Sequence, residues 1–414
     1  MIGADTAAIA SPGRVSLLGL GRALLNPITL AVLWLAMLLL AVGLFENLHL
    51  RSDRPQFSVF YVAGVAWRRG LDPYTVDLDR IGYEFGLQTL NLEHPTDPPA
   101  FIVLFGGLTA LTPYTAYWVW TSINAAMLAA ALVLLFGGGI GLGWRLGSLL
   151  AVLAIFYPPV AEHFVLSQSQ ILTLLLLAAM LRLLERNRDV AAGAALAAAG
   201  LLQLFPFLLF GYLFVFRRWR SLWAAIGFSA AGGLLTTSMF GLGNSLSYVH
   251  GVMERMRAPE WIARSGAMSL GALAVTIAIS VRLWRVRHRD AEWAGFTLWI
   301  VTAIVILPGV EVYDLVLMLL LFAALARAAA IGRVRRRALW AAIGSYLVVG
   351  LVCRACPPTS GLQLLVWFIP GLSKATVLAL APMAGFALAL GYLSSCWFAI
   401  DQIPAGGGKA AAQI

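Results

Sequence analysis

The 414-residue chain is 61% hydrophobic and only 12% charged, with a formal net charge of +10 and a mean hydropathy of +0.85. A soluble enzyme of this length needs far more charge to cover its surface, and several separate runs reach the ~20 apolar residues that cross a ~30 Å bilayer core. The composition therefore predicts an all-α polytopic membrane protein; the long unbroken runs exclude a β-barrel, and the arginine-rich charge reads as membrane topology rather than nucleic-acid binding.

In chain order, Arg14 and Arg22 precede the first apolar run, Pro27 to Phe45. Residues 1–26 are expected to be a cytoplasmic N-terminus, and the run a retained span rather than a cleaved signal peptide. This orientation puts residues 49–99 outside, as a large polar loop expected to carry the chemistry. Within it, Pro73 is expected to fix a turn, with Asp72 bonding the local backbone. The next apolar piece, Ala100 to Leu111, is too short to cross and reads as re-entrant, before a crossing from Tyr117 to Phe136. Leu146 to Tyr157 is expected to rise to Pro158-Pro159, and Ile171 to Leu184 to descend.

Basic clusters at Arg182, Arg186 and Arg188, at Arg217, Arg218 and Arg220, at Arg282 to Arg289, and at Arg333 to Arg337 are expected on one cytoplasmic side. The segments between them are then hairpins. Residues 189–216 leave two limbs of ~20 Å each, turning near Gln203-Leu-Phe-Pro206, with the proline ending the first limb. Such short paired helices are tolerated where they are buried in protein or face water, which places a polar site inside the bundle. The hairpin from Ser221 to Val281 is expected to have an outer loop near Asn244 to Arg264, and that from Glu292 to Arg327 to turn at Pro308 to Asp314. Leu339–Val352 and Lys374–Trp397 read as further spans, and Leu362–Leu372 as interfacial. One transmembrane domain is expected over 27–398, then a disordered tail at 399–414.

This topology gathers Glu162, His163, Gln168, Gln170, Gln203, Glu311 and Asp314 near the loop. Ionisable groups within membrane segments are costly and point to function, although each of these acids could instead pair with an interfacial arginine. Tryptophans such as Trp67, Trp118, Trp120 and Trp219 read as interfacial anchors, and Tyr61 and Tyr74 as sugar or loop-packing candidates. Cys353, Cys356 and Cys396 are too few for a disulfide framework. The 5 histidines are scattered, so no metal is expected.

Gln56-Phe-Ser-Val-Phe-Tyr61 followed by Gly70-Leu-Asp-Pro-Tyr74 resembles the first-loop signature of glycosyltransferase family 87, Asp-Phe-x-Val-Tyr-Tyr then Gly-x-Asp-Pro-Tyr. Asp97-Pro98-Pro99 resembles the family's Pro-Pro approach to the next helix, and Ser167-Gln168-Ser169-Gln170 its Gly-Gln-x-Asn. Gln203-Leu-Phe-Pro206 with Arg217 to Arg220 resembles Lys-x-x-Pro and its basic end. Arg264 with Ser269, and Pro308 to Tyr313-Asp314, resemble later loop motifs. The resemblance implies a GT-C-like bundle of about 10–12 transmembrane helices in the cytoplasmic (inner) membrane. It implies transfer of mannose or another hexose or pentose from a polyprenyl phosphate, without a cofactor, to a lipid or glycan acceptor outside. Arg51, Arg54, Arg68, Arg69 or Arg264 would suit the donor phosphate. Tyr61, Asp72, Tyr74, Gln168, Gln170, Gln203, Ser269, Glu311, Tyr313 and Asp314 would line the substrates.

The chain departs from the pattern where the chemistry matters. The family's loop aspartate is Gln56, which cannot hold a proton at neutral pH; its lysine is Gln203, and the Asn-Gln before the loop serine is Ala267-Met268. Asp53, Glu93 and Asp97 are the remaining candidates for a base, with Asp53 the first choice by position; it could equally be a solvated partner of Arg51 or Arg54. Three readings stay open: a glycosyltransferase with a displaced base, a non-catalytic relative that binds or moves a polyprenyl-linked lipid, and an unrelated transporter.

Overall fold

A computed structural model describes residues 55–87, 92–137, 143–257, 259–286, 289–306 and 311–330. The expectations for the N-terminus, the first span, Arg51, Asp53, Arg54, the late spans and the tail lie outside these residues. Among the described residues the fold is helical, without strands. Among these residues two helices are long and apolar enough to cross a membrane, Pro113–Phe136 and Trp219–Phe240, and a bent pair spanning Gly147–Leu166 makes a third if it crosses as one.

The expected outer loop begins instead with a helix, α1 (Pro55–Arg68). Its charges flank the segment rather than fill it, and Phe57, Phe60, Tyr61, Val62, Ala63 and Ala66 are buried. Phe57 meets Phe105 and Tyr117 edge-on at 5.9 and 5.3 Å. Polar loop character starts only at Arg69. Tyr74 N–H donates to Asp72 Oδ1 at 3.0 Å, the turn expected at Asp72-Pro73. A short α2 (Leu78–Glu84) follows, capped by Asp77.

α3 (Pro99–Gly106) ends in a 3-10 turn, Gly107–Ala110, giving the short apolar piece expected there. α4 (Pro113–Phe136) starts where a sequence rule puts it, with Thr112 as N-cap and Pro113 in the first turn. α5 (Gly143–Ile155) and α6 (Pro158–Leu166) meet at a 50° bend, because Pro158 and Pro159 cannot donate into a continuous ladder. α7 (Gln170–Glu185) then runs through the centre, against α4 on one side and α8 (Asp189–Leu202) on the other.

The hairpin at 189–216 has the expected short limbs, α8 and α9 (Leu209–Val215). The first limb stops at Leu202, where Gln203 turns extended, and Pro206 sits inside the following 3-10 turn, Phe205–Leu208. The proline thus shapes the start of the second limb rather than ending the first. α8 is nearly all small residues, so α10 (Trp219–Phe240) can approach until a Cβ on Gly193 would lie 2.4 Å from Ser221 O.

Beyond α10, Gly241 takes φ +92 and breaks the helix. The loop expected near Asn244 to Arg264 is instead helical: α11 (Leu242–Arg257) is amphipathic, and α12 (Pro259–Val286) begins at Pro259. The hairpin reading put a loop there, but the stretch's apolar residues recur at helical spacing. α13 (Arg289–Ile306), a 3-10 turn at Val312–Leu317 and α14 (Met318–Ala330) complete the described chain.

Arginines of two of the four basic clusters meet at one end of the bundle, joined by Arg327, while the cluster at Arg333 to Arg337 lies outside the described residues. Arg218 reaches Glu292 at 2.8 Å and Asp189 at 3.7 Å, Arg217 lies 4.3 Å over Trp284, and Arg327 joins Arg182 at Glu185. That convergence agrees with hairpins returning to one side.

Candidate active site

At the opposite end of α7 lies a chain of buried polar groups within an apolar core. It starts from Asp97, in the extended segment before α3, whose Oδ1 accepts from Ser169 Oγ at 3.3 Å. Ser169 Oγ accepts in turn from Gln203 Nε2 at 3.0 Å, and Gln203 Oε1 accepts from Thr173 Oγ1 at 2.9 Å. Ser169, Gln203 and Thr173 are 1%, 8% and 1% exposed, whereas Asp97 keeps part of its surface open. Gln203 can hold this link because an amide donates at one end and accepts at the other; a lysine there could not accept from Thr173.

Next along the same turn, Gln170 Nε2 donates to Asp314 Oδ1 at 3.0 Å, and Glu311 N–H donates to Asp314 Oδ2 at 2.9 Å. Asp314 thereby closes a capping box at the start of the 312–317 turn and carries that turn to α7. Neither carboxylate has an arginine or lysine within ion-pair distance among the described residues. Burial pushes Asp97 up to about 7, the neighbouring Asp314 charge adding to it against the Ser169 hydrogen bond. Burial likewise pushes Asp314 up to about 7. The Tyr313 hydroxyl is raised by burial and by the carboxylates of Asp314, Glu311, Asp97 and Glu93, so four acids face one region.

The loop is fixed over this region by Tyr74, whose hydroxyl donates to the Asp97 carbonyl at 2.8 Å. Its ring lies 5.9 Å from Phe240 and 5.3 Å from Tyr248 of α11. Burial raises both Tyr74 and Tyr248, and the charge of Arg255 on α11 opposes that rise and lowers Asp97 as well.

The turn between α6 and α7 is held from below. Ser167 sits in the left-handed region at φ +55, and Trp120 Nε1 donates to its carbonyl at 3.1 Å. The family pattern has glycine at this position, and the positive φ supplies the reason. Asn124, one turn along α4, donates to Trp120 O at 3.0 Å, and its Oδ1 meets His163 Nε2 at 3.1 Å.

The structure thus brings Asp97, Gln170, Gln203, Tyr313 and Asp314 together, with Glu311 beside them and Glu93 exposed nearby. Gln168 is buried in the same turn. It separates others from them. Tyr61 is 1% exposed and gives its hydroxyl to Leu111 O at 2.8 Å, which makes it a packing residue rather than a sugar platform. Arg68 is exposed and donates to Thr109 in the 3-10 turn after α3, and Arg69 pairs with Glu84 at 2.7 Å, so both are engaged elsewhere than with the Asp97 cluster. Asp72 serves its own turn. Gln56 is partly buried in the first turn of α1. Arg264 and Ser269 lie on α12, with side chains outside the description.

Sequence reasoning missed Ser169, Thr173, Asn124 and Arg255. Trp120, expected at an interface, is 4% exposed and holds the Ser167 turn. Asn124 carried a signal, a lone amide in an apolar helix. Arg255 carried none, because its stretch reads as loop.

The glycosyltransferase family 87 model matches residues 96–358, well over half of the chain. The chain belongs to glycosyltransferase family 87. No curated protein and no solved structure matches it significantly. The match begins just before Asp97 and takes in the Ser167–Gln170 turn, Gln203 and the 311–314 segment, while α1 and the Gln56–Tyr74 signature precede it. Membership in this family makes the protein a membrane glycosyltransferase by descent, and its apolar helices agree with a membrane location. Among the described residues no group of His, Cys, Asp and Glu side chains is arranged to hold a metal ion.

Proposed function

We propose that this protein transfers a hexose, with mannose the first candidate, from a polyprenyl phosphate to a lipid or glycan acceptor on the outer face of the cytoplasmic membrane, with Asp97 as general base. One observation carries the reading: the carboxylate of a partly exposed residue, lifted to about 7 by burial and held in a hydrogen-bonded chain, stands where loop and bundle meet. A base works best when its pKa lies near the working pH. Asp97 would take the proton from the acceptor hydroxyl as that oxygen bonds the anomeric carbon. The bond from this carbon to the phosphate oxygen breaks, and its electron pair leaves on the polyprenyl phosphate. Arg255, whose charge lowers Asp97, would oppose the negative charge growing on the leaving phosphate.

Asp97 replaces Asp53 as first choice because its surroundings are those of a base. Gln203, a departure from the family pattern, completes the chain behind Ser169. The test is transfer of labelled mannose from polyprenyl-phosphate-mannose to a bacterial lipid extract in proteoliposomes. Radiolabelled product that depends on the protein supports the reading. Saturable donor binding without product would favour a lipid-binding descendant.

A further inference from the structure

We propose that α11 lies on the bilayer surface at the Asp97 end of the bundle, with Leu242, Leu246, Val249, Met253 and Met256 set among the upper acyl chains of the lipids there. The partner is the lipid surface itself, whichever sugar or carrier is used, and this goes beyond the transfer reading above. The five residues form an apolar stripe turned away from the protein. At 3.6 residues per turn they fall within an arc of about 80° on one side of the helix, and they are 46–66% exposed. Tyr248, the buried residue of α11, stands about 120° round from the centre of the stripe and packs 5.3 Å from Tyr74. The other flank is charged: His250 and Glu254 pair at 3.1 Å with side chains 74% and 67% exposed, and Arg257 is exposed beside them. A helix that packs on protein and otherwise faces water needs two kinds of surface, and α11 has three. A row of large apolar side chains is unfavourable in water, whereas the interface of a bilayer covers it and leaves the charged flank hydrated.

The place of α11 in the chain fixes what covers the stripe. α10 has 22 residues, ~33 Å of helix, which matches the thickness of the apolar core. It starts beside the Arg218–Glu292 pair and ends at Phe240, whose ring lies 6.3 Å from Trp67 and 5.9 Å from Tyr74. α12 carries the chain back, since Arg217 lies over Trp284 in its last turn. α11 therefore joins the two helices at the depth where α10 leaves the apolar core. Protein covers only 11% of the most apolar stretch of α10, and its outer exposed residues Leu234, Leu235 and Met239 lead directly into Leu242 and Leu246. The surface that α10 gives to lipid thus continues onto α11. Charges of both signs flank the stripe, so apolar burial rather than an anionic headgroup supplies the attraction. A protein partner fits less well, because five side chains fall short of the ~800 Å² a side that a stable protein interface buries.

This placement reaches Asp97. Tyr248 packs on Tyr74, and the Tyr74 hydroxyl donates to the Asp97 carbonyl at 2.8 Å. The helix that rests on lipid thereby sets the level of the carboxylate at the headgroup layer, where a group carried by a membrane lipid is presented.

Nitroxide labels would be attached singly at Leu246→Cys, Val249→Cys, Met253→Cys, His250→Cys and Glu254→Cys. The host is the full chain carrying Cys353→Ser, Cys356→Ser and Cys396→Ser, reconstituted in phosphatidylcholine–phosphatidylglycerol vesicles. Collision of each label with oxygen, which concentrates in the bilayer, is compared with collision with a water-soluble nickel chelate. Labels at 246, 249 and 253 are expected to favour oxygen and to lie about 5–10 Å into the headgroup–acyl boundary, and labels at 250 and 254 to favour nickel. Nickel access at all five positions overturns the proposal and leaves the stripe in water. Protection of 246, 249 and 253 from both reagents overturns it too, and assigns the stripe to a protein partner, either a second copy or a segment outside the described residues. The wild-type chain supplies a check without substitutions. A phospholipid with a diazirine high in its acyl chain should leave photoadducts on the stripe residues, read by mass spectrometry, and their absence from α11 overturns the proposal.

Discussion

The two ends of α7 meet acids in opposite states. At the C-terminal end, Glu185 accepts from Arg182 and Trp293 at 2.7 and 2.8 Å and from Arg327, while Arg182 Nε donates to Leu134 O at 2.6 Å. Both arginines also lie over the Trp293 ring, at 5.6 and 4.8 Å. At the N-terminal end, about 22 Å away along the helix, Asp97 and Asp314 face serine, glutamine and backbone groups, with no ion pair among the described residues. A charge that serves the fold is surrounded by opposite charge until its oxygens are used. A carboxylate that must exchange a proton is hydrogen-bonded enough to be oriented, and left unpaired so that its proton affinity rises.

The contrast breaks first at Asp97. Asp97→Asn should cost about 10²–10⁴-fold in transfer rate, the range for losing a general base, with little change in melting temperature. Glu185→Gln should do the reverse. It leaves two arginines facing a neutral amide at a site 13% exposed, and should lower stability by about 3–5 kcal/mol, read from thermal unfolding in detergent. Transfer per folded molecule should hold. Should Glu185→Gln reduce turnover without destabilising, the division between the two ends is wrong.

Next in size is the dependence on pH. Asp97 must be ionised to accept a proton, so transfer should rise as pH climbs through about 7 and level off above it. Stability should run the other way. A group raised to about 7 when folded binds more protons than the unfolded chain between its ordinary carboxylate range and 7. Its stabilising contribution is therefore present at low pH and lost as pH rises through 7. Asp314→Asn should flatten that decline in melting temperature, and an unchanged slope would show that Asp314 does not carry the titration.

The smallest effect expected is at Gln203. Gln203→Lys, the family's own residue, breaks the acceptance from Thr173 and brings a charge beside Ser169. It should pull the midpoint of the pH–rate curve downward, since a cation near Asp97 favours the ionised carboxylate.

Much of this contrast could be read in the sequence where polar residues interrupt apolar runs. Gln168, Gln170, Gln203, Glu311 and Asp314 stood out for that reason, and Arg217 and Arg218 marked the ends that made residues 189–216 a short hairpin. What escaped was pairing across helices. Arg182 reads as a topology marker, but with Glu185 three residues on and Arg327 distant in sequence it builds a buried cluster. Ser169 and Thr173 are unremarkable in a helix start until Gln203 is placed against them. α11 escaped because charge and serine dilute its hydropathy, although Leu242, Leu246, Val249, Met253 and Met256 repeat at helical spacing. Gln56 drew attention through a resemblance that lies before the family match, and α1 buries most of the stretch that follows it.

The most direct test of the claim that Asp97 is the base is mannose transfer in proteoliposomes by Asp97→Asn beside Asp53→Asn, at matched amounts of folded protein. Loss of transfer in Asp97→Asn with near wild-type transfer in Asp53→Asn is the predicted result. Retained transfer in Asp97→Asn, with loss in Asp53→Asn, would contradict it and move the base to the segment before α1.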